Sequence, residues 1–168
     1  MNRVEVEKEI SKIFFNIFGR ENPFTIQEIE EKFAFDVKLP KQVKDSVTGE
    51  ITWSEMENSK KYIKQDTMRK YDKAKGWMVS KRDITSLKDI IDIWDRINFT
   101  TTERVYNSIN VSESDTIYDS ENIFRSTDCR KCKNMIFSDG CGDCQSMIAS
   151  QRTGSSTNCI RVDDSATC

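Results

Sequence analysis

Two different spacings of apolar residues divide the chain. Val6, Ile10, Ile13, Phe14, Ile17 and Phe18 fall at helical spacing and Gly19 follows as a stop, which predicts an amphipathic helix over 4–18. Thr25 with Glu28 makes a capping box ahead of Ile29 and Phe33, with Pro23 just before it, so a second short helix is expected from Thr25. Phe35, Val37 and Leu39 alternate, and Ser46 to Trp53 reads as a hairpin turning at Thr48-Gly49, which predicts a small β element over 35–53. Lys60 to Lys75 holds Tyr62, Ile63, Met68 and Tyr71 among many charges and reads equally as a weak helix or a basic surface loop. Ser86 with Asp89 is a second capping box, and Leu87, Ile90, Ile91, Ile93, Trp94 and Ile97 predict a helix ending near Asn98. For all these apolar faces a small shared core is the expectation.

Beyond residue 100 the helical spacing gives way to a period of three. Every third residue from Val105 through Ser108, Val111, Ser114, Ile117, Ser120 and onward to Cys168 is small or apolar, although charges are plentiful on either side. Exclusion of charge at a fixed period marks those positions as facing a dry interior. The coil length follows from other columns. Asn110, Asn122, Asn134, Ser146 and Asn158 recur at twelve residues, as do Ser112, Phe124, Ile136, Ile148 and Ile160, and Ser114, Ser126, Ser138 and Ser150. A coil of twelve residues stacked at about 4.8 Å predicts a narrow β-solenoid of about five coils, roughly 25 Å long. Asn suits a coil corner because it tolerates left-handed backbone and bonds along a ladder. The chain is therefore expected to be α+β. Residues 1–100 form a mainly helical module with a small hairpin, and residues 101–168 form the solenoid.

Composition narrows the chemistry. With 26 basic and 28 acidic residues the net charge of −2 gives no overall field that would draw in nucleic acid or an anionic membrane. No segment approaches the roughly 20 apolar residues of a membrane span, and the charged start has no signal-peptide run, so a cytoplasmic or virion protein is expected. The chain has no histidine, which removes the commonest general base and every His-containing metal site. No paired-acid or Gly-rich phosphate motif stands out, and a non-enzymatic role without cofactor is the expectation.

All 6 cysteines lie in the repeat region. The spacing Cys129-x2-Cys132-x8-Cys141-x2-Cys144 is that of two zinc knuckles, with Gly140 and Gly142 beside Cys141. The same spacing falls out of a twelve-residue repeat, so buried thiols serving as small core residues are expected, with structural zinc on those four residues as the alternative. The stretch Thr127-Asp128-Cys129-Arg130-Lys131-Cys132, with small or Cys residues inward at every third position, resembles the twelve-residue right-handed solenoids of insect antifreeze proteins over residues 105 to 168. The resemblance implies the shape alone. That family's disulfides join Cys six apart, where this chain has Met135 and Met147, and its Thr-x-Thr ladder that meets ice is missing.

Function is expected on the external columns. Phe124, Ile136, Ile148 and Ile160 form an apolar stripe that needs cover from a second copy, from the N-terminal helices or from another protein, and these four are the candidate partner-binding residues. The last coil carries no polar or helical cap, which implies that the chain continues or that this end docks. The leading expectation is a structural or interaction protein using the rod for self-association or partner binding, in a larger assembly such as a virus particle. The alternative is a zinc-stabilised nucleic-acid-binding adaptor using Lys60, Lys61, Lys64, Arg69, Lys70, Lys73 and Lys75 with Tyr62 and Tyr71 interleaved.

Overall fold

The computed structural model describes residues 1–74 and 83–167; Lys75 and Cys168 lie outside them. Helix α1 (Arg3–Phe18) is closed at both ends by local chemistry. Asn2 and Glu5 form a capping box at its start, and Gly19, at φ 63°, donates its N–H to Phe15 O at 2.9 Å at its end. Helix α2 (Ile26–Phe33) carries the expected Thr25–Glu28 box. The alternating Phe35, Val37 and Leu39 do not form a strand. Pairing begins only after Pro40, which lacks a donor, with β1 (Lys41–Lys44) antiparallel to β2 (Ile51–Ser54) and Val43 opposite Thr52. The connecting turn is held by Asp45, whose carboxylate accepts the N–H of Val47 at 2.7 Å and of Thr48 at 3.0 Å, with Gly49 in the left-handed region at φ 77°.

The Lys60 to Lys75 stretch is neither a single helix nor a loop. It supplies a short strand, β3 (Tyr62–Lys64), that runs directly into α3 (Gln65–Lys73). After α4 (Leu87–Ile97), with its Ser86–Asp89 capping box, β4 (Thr100–Thr102) pairs in parallel with β3. The expected boundary near residue 100 is therefore bridged by strand pairing. Thr52 and Thr102 hydroxyls meet at 2.7 Å, and Gln65 Oε1 accepts the N–H of Val105 at 3.0 Å, so the hairpin and α3 seat the first coil.

The repeat forms the β-solenoid that its spacing predicts. Strands β5 (Val105–Tyr106), β6 (Ile109–Ser112), β7 (Asp115–Tyr118), β8 (Glu121–Phe124), β9 (Thr127–Arg130), β10 (Lys133–Ile136), β11 (Gln145–Ile148), β12 (Gln151–Thr153), β13 (Thr157–Ile160) and β14 (Asp163–Ser165) serve two facing parallel sheets. One sheet has the order β6-β8-β10-β11-β13. The other holds β5-β7-β9 and β12-β14, joined through bridges at Asp139 and Gly142. Every pairing is offset by twelve residues, as in Ile123 beside Met135 and Met135 beside Met147.

The backbone explains the period of three. Every third residue from Asn107 to Asp164 is left-handed, at φ between 45° and 62°, and the residue that follows points inward. For an L residue other than glycine this conformation costs roughly 1 kcal/mol or more, and Asn and Asp bear it best. They fill many of these places, but Arg125, Lys131, Phe137 and Arg152 occupy others, so coil geometry overrides local preference.

The inward side chains repay the distortion with hydrogen bonds. Ser126 Oγ donates to Phe124 O at 2.9 Å and accepts the N–H of Ser138 at 3.1 Å; Ser138 Oγ donates to Ile136 O at 3.1 Å and accepts the N–H of Ser150 at 3.3 Å. Each hydroxyl thus ties its own corner and the corner of the next coil. The opposite corner repeats the device with Ser108 and Ser120 before changing to Cys132 and Cys144. Between corners the two sheets fill the interior in complementary sizes: Met135 and Met147 come from one sheet where Cys129 and Cys141 come from the other.

Replacing Ser138 by Ala should leave the N–H of Ser150 and one lone pair of Ile136 O without a partner in a dry core, and should cost about 1–3 kcal/mol by urea titration. Ser138→Lys should abolish folding of the repeat, while Lys131→Ala should be nearly silent. Equal tolerance at inward Ser138 and outward Lys131 would contradict the register.

Candidate interaction surface

The flattened rod has two narrow edges, and the chain treats them differently. Along one edge run Phe124, Ile136, Ile148 and Ile160, with Phe137 and Ala149 beside them. Helix α1 lies over β10, β11 and β13, and its Val6, Ile10, Ile13 and Phe14 join this column in one buried cluster with Ile29 of α2. Ile136 and Ile148 are fully buried and Ile160 partly so. The expected partner-binding stripe is thus core: burying the amphipathic face of α1 and the stripe against each other within the chain removes both from water.

Ion pairs fasten this lid. Arg125 bonds Glu30 at 2.8 Å and stacks over Trp53 at 5.2 Å, and Arg161 pairs with Asp36 while lying over Phe35. A deeper network seats the hairpin on the second sheet. Arg104 grips fully buried Asp115 through Nε and Nη2, both at 3.0 Å, and reaches Glu55 at 2.9 Å, while Thr127 Oγ1 donates to Glu55 at 2.6 Å. Burial alone would raise the Glu55 carboxyl, but the Thr127 and Arg104 bonds outweigh it and hold the group below its usual range. The clue to this network in the sequence is slight: Asp115 is a charged residue one place after an inward Ser.

The cysteines belong to the interior. Cys129, Cys132, Cys141 and Cys144 are free buried thiols, each aimed at the carbonyl two residues earlier, at 3.3, 3.2, 3.3 and 3.1 Å respectively. Cys132 and Cys144 stand in the corner column that Ser108 and Ser120 begin, whereas Cys129 and Cys141 continue the mid-sheet column of Ile117. The thiol of Cys129 holds Cys132 down to about 7, and its bond to Cys132, with burial, pushes Cys129 up; burial first, and then the neighbouring Cys144 and Cys132, push Cys141 up to about 12 against its bond with Thr153. Among the described residues no group of three or more Cys, Asp or Glu is placed to hold a metal ion.

The other narrow edge faces solvent. Tyr106 and Tyr118 stack one coil apart, ring centroids 5.0 Å and planes 9° apart, and Arg130 of the next coil lays its guanidinium 5.3 Å from the Tyr118 centroid. The same column continues as Gly142 and Gly154, so the raised ladder steps down to bare backbone. Around the corner, Asn107 bonds Asp119 at 2.6 Å and Lys133 pairs with Glu121 at 3.1 Å, flanking a groove of about 330 Å³ that also takes in Ile109 and Lys131. Sequence reading passed over these residues because period three marks what points inward and is silent on which outward column stays uncovered.

No family model, curated protein or solved structure matches this chain.

The basic stretch runs through β3 and α3, and three of its charges have local partners: Lys60 meets Asp95 at 4.0 Å, Lys64 meets Glu103 at 3.1 Å and Arg69 meets Asp66 at 3.6 Å. Lys61 Nζ donates to Asp95 O and lies 5.3 Å from the Phe99 ring. Tyr62 turns its hydroxyl to Met56 O at 3.0 Å, and Tyr71 packs on Phe99. No helix among the described residues is long and apolar enough to cross a membrane.

Two measurements check this arrangement. Ile136→Lys combined with Ile148→Lys should unfold the protein, with loss of both helical and β circular dichroism, because two unpaired charges under α1 cost several kcal/mol each; a folded double variant would mean that α1 does not cover the stripe. Chelation of protein purified without added zinc should leave the β signal and melting temperature unchanged, whereas release of one zinc per chain with loss of structure would assign the four thiols to a metal.

Proposed function

We propose that this protein is a non-enzymatic structural or interaction protein, in which the solenoid is a rigid ruler presenting its open edge to a protein partner within a larger assembly. The observation that carries the reading is the Tyr106–Tyr118–Arg130 ladder. Tyr and Arg are the side chains that most often dominate protein interfaces, because they bring large contact area at little entropic cost. Here their positions are set by backbone pairing rather than by loops: Tyr106 lies opposite Tyr118, and Tyr118 opposite Arg130, in the registers of β5, β7 and β9. A partner therefore meets a preorganised column and is spared the cost of ordering it.

Charge in the neighbouring columns supports selectivity over strength. Asp119 and Glu121 of one coil are followed by Lys131 and Lys133 of the next, so a partner that reads this edge must alternate sign at the coil spacing. The same alternation is unfavourable to a polyanion. The lid of α1 and α2 on the opposite edge gives the rod one closed side and one open side.

The test is comparative affinity capture with the wild-type chain and the Tyr106→Ala/Tyr118→Ala/Arg130→Ala variant, both folded by circular dichroism. A protein held by the wild type should be lost by the variant, and its purified form should bind at least about a hundredfold more weakly by calorimetry, the loss expected for two or three truncated anchor residues. Equal binding by both chains would refute the ladder as the interface. Tight, salt-sensitive binding of labelled duplex or single-stranded nucleic acid, reduced by Lys70→Glu/Lys73→Glu, would support the adaptor reading in its place.

A further inference from the structure

Helix α4 carries more apolar surface than the described residues cover. At 3.6 residues per turn, Ile93 and Ile97 fall on one side, together with Asp89, and these are the partly buried positions of the helix. The next arc, about 100° wide, contains Leu87, Ile90, Ile91 and Trp94, which are 72%, 50%, 50% and 59% exposed, and Ile84, just before the cap, extends it. Four large apolar side chains at successive turns form a continuous strip of the kind that marks an association site. Single exposed residues elsewhere need no such account.

The charges beside the strip indicate what covers it. Lys88 and Asp95 lie on the same flank of the apolar arc, seven residues apart, with the strip's midpoint between them. When two identical helices pack antiparallel about a two-fold axis, each flank faces the same flank of the other copy. Leu87 then falls opposite the partner's Trp94, Ile90 opposite the partner's Ile91, and Lys88 comes within reach of the partner's Asp95, twice by symmetry. Among the described residues the Asp95 carboxylate pairs with the largely exposed Lys60 at the 4.0 Å limit of an ion pair, while Lys61 holds its backbone carbonyl, so the carboxylate can be shared. A parallel pairing would set each flank against the opposite flank of the other copy and bring no Lys88–Asp95 pair together.

From this self-complementarity we infer that α4 is the contact of a two-fold homodimer, formed by the apolar face of Leu87, Ile90, Ile91 and Trp94 and oriented by reciprocal Lys88–Asp95 pairs. This site uses none of the residues of the Tyr106–Tyr118–Arg130 ladder and does not depend on it. A dimer would present two open solenoid edges in a fixed relation, and a partner with repeated sites would bind both with increased avidity.

The experiment is sedimentation velocity over a range of concentrations on the full chain, with circular dichroism as the check on folding. Wild-type protein should sediment as a dimer that dissociates on dilution. Leu87→Glu/Trp94→Glu should be a folded monomer at every concentration. Lys88→Glu and Asp95→Lys should each weaken the dimer about tenfold, and the two together in one chain should restore it, since the reversed pair is again complementary. The Tyr106→Ala/Tyr118→Ala/Arg130→Ala variant should remain dimeric, which separates this contact from the partner edge. The inference is overturned if the wild type is monomeric throughout, if Leu87→Glu/Trp94→Glu keeps the dimer, if that variant unfolds because the strip is covered within its own chain, or if the double charge reversal is no stronger than either single change.

Discussion

The bond on which this structure depends is the one that an inward hydroxyl or thiol makes at each corner of the solenoid. A backbone that turns left-handed at every third residue cannot satisfy its corner groups by sheet pairing alone, and inside a dry rod there is no water to take their place. Ser114, Ser126, Ser138 and Ser150 donate to the carbonyl two residues back, and the first three also accept the N–H of the next Ser in the column. Because the accepting role needs a partner twelve residues later, a single coil could not use it. The same atom that relieves strain within one coil also fixes the register of the next, so turn geometry and stacking are one cooperative unit.

This constraint sets the rest of the interior. With the corners from Ser108 to Ser156 held by Ser or Cys, the two mid-sheet columns are the ones that vary in volume, and they vary against each other. Met135 and Met147 pair in size with Cys129 and Cys141, while Ile117 and Ile123 share the coil before them. Such a core is narrow, and a rod of about five coils has little apolar area to bury by itself. The apolar column Phe124–Ile136–Ile148–Ile160 with α1 laid over it supplies a second core of comparable content outside the coil. The N-terminal segment is therefore part of what makes the solenoid stable.

The chain announced some of this and concealed the rest. The inward register, the twelve-residue coil and the capping boxes at Thr25 and Ser86 were legible because each is a local or strictly periodic rule. The strand–helix sequence of β3 and α3 was not, since Tyr62–Lys64 is a strand only by virtue of β4, which lies far along the chain. The expectation of a strand through Phe35, Val37 and Leu39 followed alternation and overlooked Pro40. The apolar stripe was read correctly as a column, but a column of hydrophobic residues does not say whether its cover comes from the same chain. The Arg104–Asp115–Glu55 network was hidden for a similar reason: two of its members sit in the repeat and one in the hairpin, and only the folded chain brings them together.

The unequal treatment of the two edges is what turns a stable rod into a reading for function. Nothing in the stacking of coils requires one edge to be apolar and covered while the other bears Tyr106, Tyr118 and Arg130 in a solvent-facing ladder; at both corners an inward hydroxyl or thiol donates to the carbonyl two residues back. A uniformly polar exterior would satisfy folding. Two stacked aromatic rings held at the surface gain less from water than they would from a contact that buries them, and they are fixed in place by pairing that the fold must make in any case. Tight backbone register at the open edge, obtained as a by-product of the interior, is what a rigid recognition surface requires, and the bare Gly142 and Gly154 below it leave room for whatever projects from the other side.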